Sequence, residues 1–218
     1  MEDTLQSTNK TLAQTFVWMF LGLLSTGIIA AITYYTGAIV EIANSWKVIL
    51  ISQFAIVIIC DLFFHKLSSG AVTLLFFGYS MITGLTFSTI FVRFELTSIA
   101  YALFATSAFF GILAFIGYKT DKDLSNFGTV LIAALVVAFI LTVVNLFLGY
   151  TTLDIVLNWV VLGVFAGLTA YDMNKVKVMS ETYGYDQEKV AIYGAMQLYL
   201  DFINMFLRIL EIFGKRNN

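Results

Sequence analysis

Hydrophobic residues along the chain are grouped into seven long runs, and short polar segments separate them. Each run is roughly 17–25 residues long and holds few charges, which is typical of a helix that spans a membrane. Strands of a membrane barrel are shorter and alternate apolar with polar residues, a pattern that we do not find here. The runs predict seven helices, at approximately 12–35, 46–64, 71–92, 98–118, 127–150, 153–177 and 190–213.

Seven such helices account for most of the chain. At about 20 residues each they use about 140 of the 218 residues, which leaves roughly 78 for loops and tails. A further soluble domain does not fit into that remainder. We therefore predict an all-α membrane protein in which residues 1–218 form a single polytopic membrane domain.

The composition narrows the class of protein further. Hydrophobic residues make up 60% of the chain and charged residues 12%, whereas soluble domains hold about 25% charged residues. This balance excludes a water-soluble domain, a disordered chain and a basic nucleic-acid-binding protein. One cysteine and one histidine cannot form an intrachain disulfide or a Cys/His metal cluster. The lipid bilayer is thus the expected partner, and we expect no cofactor and no nucleic acid.

Basic residues are distributed unevenly between the two sides of the predicted helices. The loops after helices one, three and five hold only Lys47 and Arg93. The N-terminal tail and the loops after helices two, four and six hold seven: Lys10, Lys66, Lys119, Lys122, Lys175, Lys177 and Lys189. This excess predicts a cytoplasmic N-terminus. Lys215 and Arg216 follow the last helix; seven full spans would place them outside, whereas a re-entrant last segment would place them inside.

Pairs of small residues four positions apart mark helix faces that can approach a neighbour closely. Three such pairs are Ser80 with Gly84, Ser107 with Gly111, and Gly163 with Gly167. They predict packing contacts within a bundle and indicate no specific function.

The last predicted helix carries a polar stripe. Gln197, Asp201, Asn204 and Arg208 recur every three or four residues, so they share one helical face. Asp201 lies near the middle of the span, where a carboxylate is costly and usually functional. Because such a stripe must face protein or water, we predict that the C-terminal helix is central and wrapped by the other six. We interpret Arg208 as a snorkelling or neutralising charge near the outer end.

Two more aspartates are candidates. Asp172 follows the sixth apolar run, so it is either a buried carboxylate or the solvated end of that helix. Asp61 precedes His65 by four residues near the cytoplasmic edge, so we interpret it as an interfacial charge.

Asp172 and Asp201 lie on consecutive helices, so their side chains can face each other. Two close carboxylates in a low dielectric share one proton. A singly protonated pair is a hydrogen-bonded latch, whereas a doubly charged pair repels itself and offers hard oxygen ligands to Ca²⁺. This chemistry predicts a pH-gated cation path.

Three segments of the sequence resemble the transmembrane Bax inhibitor motif family, its bacterial members most of all. They are Tyr171-Asp172-Met173-Asn174, the segment Leu198-Tyr199-Leu200-Asp201-Phe202-Ile203-Asn204-Met205-Phe206, and Lys122-Asp123-Leu124-Ser125. The resemblance extends over the whole chain.

The resemblance implies a seven-helix fold with the last helix wrapped by six others, in a bacterial-type plasma membrane. It also implies a pH-sensitive calcium leak controlled by the pair Asp172 and Asp201, with Ca²⁺ bound transiently. Some relatives carry an arginine at the cytoplasmic end of helix two, whereas His65 and Lys66 occupy that region here. If His65 replaces it, the latch is weaker near pH 7 and gains a second titrating group. Further candidates for pore lining or the latch are Gln197, Asn204, Arg208, His65 and Asp61.

Three other functions compete with a leak channel. An intramembrane aspartyl protease would need Gly-x-Gly-Asp where the chain has Leu198-Tyr199-Leu200-Asp201, and a proline that the chain lacks. We therefore expect no enzyme. A proton-coupled cation exchanger would use the same carboxylate pair, so it stays open as the alternative. A non-conducting, partner-binding membrane protein would have no need of Asp201 at mid-membrane.

Overall fold

The computed structural model describes residues 2–182 and 186–217, and within them every side chain except those of residues 2–5 and 43. Eight α-helices are the regular elements of this part of the chain. They are α1 (Glu2–Thr36), α2 (Ile39–Asn44), α3 (Trp46–Phe63), α4 (Ser69–Arg93), α5 (Leu96–Lys119), α6 (Ser125–Leu148), α7 (Thr151–Glu181) and α8 (Gln187–Phe213).

Seven of these eight helices, all but α2, are long and apolar enough to cross a membrane. The predicted all-α class with seven membrane-length helices is thereby confirmed for the described residues. The six-residue α2 lies in what the sequence indicated was a linker. It follows Gly37, whose φ of 75° is a left-handed conformation that glycine adopts readily and that ends α1.

Two helices extend well beyond their apolar runs. α1 begins at Glu2, and α7 continues to Glu181. Polar residues with good helix propensity can prolong a helix past the apolar segment, and hydropathy alone does not detect that extension.

The chain divides into two compact units, which α7 and α8 both enter. Unit 1 comprises Met1–Phe94, Met179–Tyr199 and Asn217–Asn218; unit 2 comprises Glu95–Val178 and Leu200–Arg216. α8 therefore contributes its first half to unit 1 and its second half to unit 2.

In unit 1, α1 packs against α4, and α2 and α3 also contact α4. The α1–α4 pair is parallel, since Trp18 meets Phe77 and Tyr34 meets Phe91, with ring centroids 5.9 and 5.4 Å apart. Between these two contacts, the Thr26 hydroxyl donates to the Ser80 carbonyl oxygen at 2.9 Å.

The end of α4 is capped by a residue from the opposite end of the chain. The Asn217 amide nitrogen Nδ2 donates to the carbonyl oxygens of Phe91, Val92 and Phe94, at 3.3, 3.0 and 3.2 Å. The Asn217 backbone N–H donates to the Arg93 carbonyl at 3.0 Å. Carbonyl groups that a helix end leaves without an intrahelical donor are thus satisfied.

In unit 2, α7 contacts α5, α6 and the second half of α8. Gly117 of α5 lies directly against the Ala170 backbone, and Gly128 of α6 lies under the Tyr171 ring. One turn further along α7, the Asn174 amide donates to the Thr120 carbonyl oxygen at 2.8 Å. Beyond it, Lys177 pairs with Asp121 at 2.9 Å. These contacts hold the Asp172 region of α7 against the ends of two neighbours.

α8 is the most buried of the seven long helices. Within its most apolar 18-residue stretch, 78% of the residues are buried, against 11–39% in the other six. Of the polar stripe of α8, Asp201 is buried and Gln197, Asn204 and Arg208 are half-buried. The placement of α8 at the centre of the other six stays a prediction.

The three pairs of small residues differ in their surroundings. Gly84 lies against Thr26 and Ile29 of α1, and Gly167 lies against Leu131 of α6. Around Gly111 and Gly163, however, no described heavy atom beyond the adjoining residues and the local helix backbone lies within 4 Å of where a Cβ would be. The spacing alone therefore predicted close contact correctly for only part of these positions.

We expect Gly117→Ala to lower the free energy of unfolding by roughly 1–3 kcal/mol, because its Cβ would overlap the Ala170 backbone. Gly111→Ala, on the same helix with open space around it, is the control and should not destabilise. Thermal unfolding in detergent measures both. Equal midpoints for the two variants would contradict the close α5–α7 contact.

α8 begins with a side-chain cap that also contacts α4. The Asp186 carboxylate accepts from the backbone N–H groups of Glu188 and Lys189, at 3.0 and 3.3 Å. Its other oxygen accepts from the Ser69 hydroxyl at 2.6 Å. The Ser69 hydrogen bond, followed by those of the cap, holds the pKa of Asp186 below its ordinary value.

We expect Asp186→Ala to expose the first turn of α8 to faster hydrogen exchange, at a cost of roughly 0.5–2 kcal/mol. The native cap should be intact above the ordinary aspartate pKa and be lost as pH falls through the lowered pKa of Asp186. Asp186→Asn caps without titrating, so its first turn should stay protected at low pH. If the first turn loses protection at low pH in both the native protein and Asp186→Asn, a titrating group other than Asp186 is responsible.

Candidate functional site

The two candidate aspartates lie together in unit 2. Asp201 is 2% exposed and Asp172 is 7% exposed. The two carboxyl groups hydrogen-bond each other, and Asp201 also lies within hydrogen-bonding reach of Thr169. α7 continues for nine residues beyond Asp172, so Asp172 is not the solvated end of its helix.

The antiparallel packing of α7 on α8 brings this pair together. The Thr169 hydroxyl lies 3.4 Å from the Met205 sulfur, and Asn158 contacts Arg208 near the other end of the helix pair. Residue numbers rise along α7 as they fall along α8, so Asp172 meets α8 at Asp201. The helix register, rather than a loop, therefore sets the distance between the carboxyl groups.

One atom of this pair has no hydrogen-bond partner among the described residues. The Asp201 oxygen Oδ2 is buried and accepts no hydrogen bond. A buried carboxyl oxygen without a donor costs free energy, which a proton or a bound cation can offset.

Asp61 and Gln197 belong to a second polar cluster, in unit 1. The Asp61 oxygen Oδ1 accepts from the Tyr193 hydroxyl at 2.9 Å and from the Gln197 amide at 3.0 Å. Tyr193 in turn packs on Phe64, with ring centroids 4.5 Å apart. Asp61 is exposed, and its hydrogen bonds join the end of α3 to the first half of α8.

The other sequence candidates have separate partners. The Asn204 amide donates to the Leu200 carbonyl oxygen of its own helix at 2.8 Å. The Arg208 guanidinium donates to the Asn158 side-chain oxygen at 2.6 Å. His65 is exposed, with its ring edge-on to Phe64. The polar stripe of α8 is thus a series of different contacts rather than one continuous network.

Sequence reasoning missed three polar partners, and also Asp186, which caps α8. Thr169, Tyr193 and Asn158 each lie on the same helix as a candidate or opposite one. Asn158 gave a signal, as an amide within an apolar run, and Asp186 gave another, as an acidic residue before a helix start. Thr169 and Tyr193 gave none, because both residue types are common in apolar helices.

The carboxyl pair offers two ligand groups to a cation. Within residues 2–182 and 186–217, no three His, Cys, Asp or Glu side chains lie close enough together to hold a metal ion.

The family model Bax1-I, described as "Inhibitor of apoptosis-promoting Bax1", matches residues 8–218. The chain belongs to this family. Inner membrane protein YbhL of Escherichia coli strain K12 is 40% identical over 213 residues, which cover 94% of this chain and 91% of the relative. A protein of Deinococcus radiodurans is 32% identical over 219 residues, covering 99% and 95% of the two chains. A protein of Borreliella burgdorferi is 34% identical over 217 residues, covering 96% and 94%.

Membership in Bax1-I confirms the resemblance that the sequence motifs indicated. The matched region includes both aspartates of the pair and all of the long apolar helices except the start of α1. With seven membrane-length helices and a relative named as an inner membrane protein, this Bax1-I member is a multi-pass integral membrane protein.

We expect Asp61 and Tyr193 to be energetically coupled by about 0.5 kcal/mol or more, because the hydroxyl donates directly to the carboxylate. A double-mutant cycle with Asp61→Ala and Tyr193→Phe, read by thermal unfolding, measures the coupling. Tyr193→Phe keeps the ring contact with Phe64, so it isolates the hydrogen bond. Additive effects would show that the bond contributes nothing to holding α3 and α8 together.

Proposed function

We propose that this Bax1-I member is a pH-sensitive calcium leak channel, gated by a proton that Asp172 and Asp201 share. One observation carries the proposal: two buried carboxyl groups on adjacent membrane-length helices hydrogen-bond each other. Ionisable groups inside a membrane protein are rare, costly and usually functional. The proposal assigns the chain no catalytic chemistry and no resident cofactor.

The proton is the closing element in this mechanism. Ionised carboxylates only accept hydrogen bonds, so a bond between two carboxyl groups needs a proton on one of them. With that proton in place, the pair fastens α7 to α8. When the proton leaves, two negative charges face each other in a poorly solvated site and repel.

The open pair has the properties of a site that a calcium ion passes. Ca²⁺ prefers several hard oxygen ligands, and carboxylates are the strongest that a protein offers. In our proposal, Asp201 Oδ2, which has no donor in the described structure, is the first oxygen to meet the ion. Two carboxylates alone favour transient rather than tight binding, as conduction requires. Asn204, one turn from Asp201, would line the same path.

The proposed orientation places the N-terminus in the cytoplasm of a bacterial plasma membrane. Support comes from the excess of lysine in the tail and alternate loops, and from the E. coli relative named as an inner membrane protein. In this orientation the end of α3 faces the cytoplasm, with Asp61 in its last turn and His65 just beyond it. We also propose that His65 contributes to the latch, in addition to the hydrogen bonds that join Asp61 to α8.

We expect calcium influx into liposomes to rise between pH 6 and pH 8, because deprotonation opens the pair. Asp172→Asn and Asp201→Asn should each change the flux and its pH dependence, since an amide shares no proton with the remaining carboxyl group and the variant pair never carries two negative charges. Purified protein in liposomes with an internal calcium dye measures it.

Asp154→Asn is the matched control. Asp154 lies on α7, as Asp172 does, but it is exposed and accepts a hydrogen bond from the Asn145 amide. The control variant should keep the native pH profile. If both pair variants also keep it, the latch mechanism is wrong. An imposed proton gradient separates the alternative function: uphill calcium accumulation would show a proton-coupled exchanger, whereas a leak only equilibrates.

A further inference from the structure

Arg208 is a cation within a membrane-length helix, and its charge is poorly compensated. Its side chain is half-buried in unit 2, and its Nε is buried without a hydrogen-bond partner in the described residues. The one hydrogen bond that the structure gives its guanidinium goes to the neutral Asn158 side chain, at 2.6 Å. Glu211, one turn further on, attracts it electrostatically but is itself paired with Arg216 at 3.0 Å.

Arg208 also lies on the same face of α8 as the carboxyl pair. It follows Asp201 by seven residues, which is two helical turns and about 10 Å along the axis. Asn158 of α7 holds the guanidinium there, just as Asp172 of α7 holds Asp201. In the proposed leak, an ion that moves along these two helices would meet the carboxyl pair at one level and a fixed positive charge at the next.

We propose that Arg208, positioned by Asn158, is a specificity-determining residue that limits cation flux through this protein. The inference rests on the proposed leak function and adds a charge barrier to it. A fixed positive charge in a poorly solvated path repels Ca²⁺ twice as strongly as a monovalent cation, because the interaction energy scales with the product of the charges. The carboxyl pair then sets when the path opens, and Arg208 sets how fast a divalent ion crosses.

If the Arg208–Asn158 contact instead has a purely mechanical role, the opposite change in flux is expected for Asn158→Asp. If Arg208 and Asn158 only tie α7 to α8, then weakening their hydrogen bond raises the flux and strengthening it lowers the flux. If the charge is the barrier, neutralising it raises the flux even where the tie becomes stronger. Asn158→Asp neutralises the charge and strengthens the tie at the same time, because the new carboxylate would form an ion pair with the Arg208 guanidinium.

The test is the initial rate of calcium influx into liposomes, at the pH of highest native flux, for equal amounts of folded protein. We expect Arg208→Gln and Asn158→Asp each to raise the rate at least roughly threefold. Arg208→Lys and Asn158→Ala lose the native hydrogen bond but keep the positive charge, so each should raise the rate less than Arg208→Gln and Asn158→Asp do. If Arg208→Gln does not fold, the comparison of Asn158→Asp with Asn158→Ala decides alone.

A rate for Asn158→Asp at or below the native rate would overturn the inference, as would an Asn158→Ala rate equal to that of Arg208→Gln. Both results leave the pH-dependent native flux in place, so they refute the charge barrier and not the leak. A native protein without flux at any pH would instead remove the proposed function, and this inference with it.

Discussion

The hydrogen bond between two buried carboxyl groups is the constraint on which the rest of unit 2 depends. An isolated carboxylate at that depth would cost several kcal/mol, and two would cost more through their mutual repulsion. The contact is tolerable only where α7 and α8 hold both groups in register and keep lipid away. The glycines that let α5 and α6 approach α7 near Asp172 serve that requirement. Dense packing around the pair is thus a condition for having it at all.

α8 shows how one helix can carry polar groups through an apolar chain. Each polar side chain on its stripe has its own partner: an aspartate for Gln197, another aspartate for Asp201, a backbone carbonyl for Asn204 and a side-chain amide for Arg208. Two of these partners, Asp172 and Asn158, lie on α7, whereas Asp61 lies on α3 and Leu200 on α8 itself. In our proposals, gating and ion discrimination therefore act at two levels of the same α7–α8 contact.

The sequence was enough to predict the helices and to single out the two aspartates, because hydropathy and the cost of buried charge act locally. It could not decide whether Asp172 was buried, since that depended on α7 continuing to Glu181 through polar residues. Nor could it identify Thr169, Tyr193 or Asn158 as partners. Which face a helix turns toward its neighbour is set by tertiary packing, and small-residue spacing misled at Gly111 and Gly163 for the same reason.

The cap that Asn217 places on α4 has a consequence for the order of synthesis. The carbonyl groups of residues 91–94 gain these donors only after more than 120 further residues have been made. Until then the end of α4 depends on water or other temporary partners. Unit 1 thus cannot reach its final hydrogen-bonded state until the segments of unit 2 and then Asn217 have been made, so the last step of its maturation waits for the synthesis of unit 2.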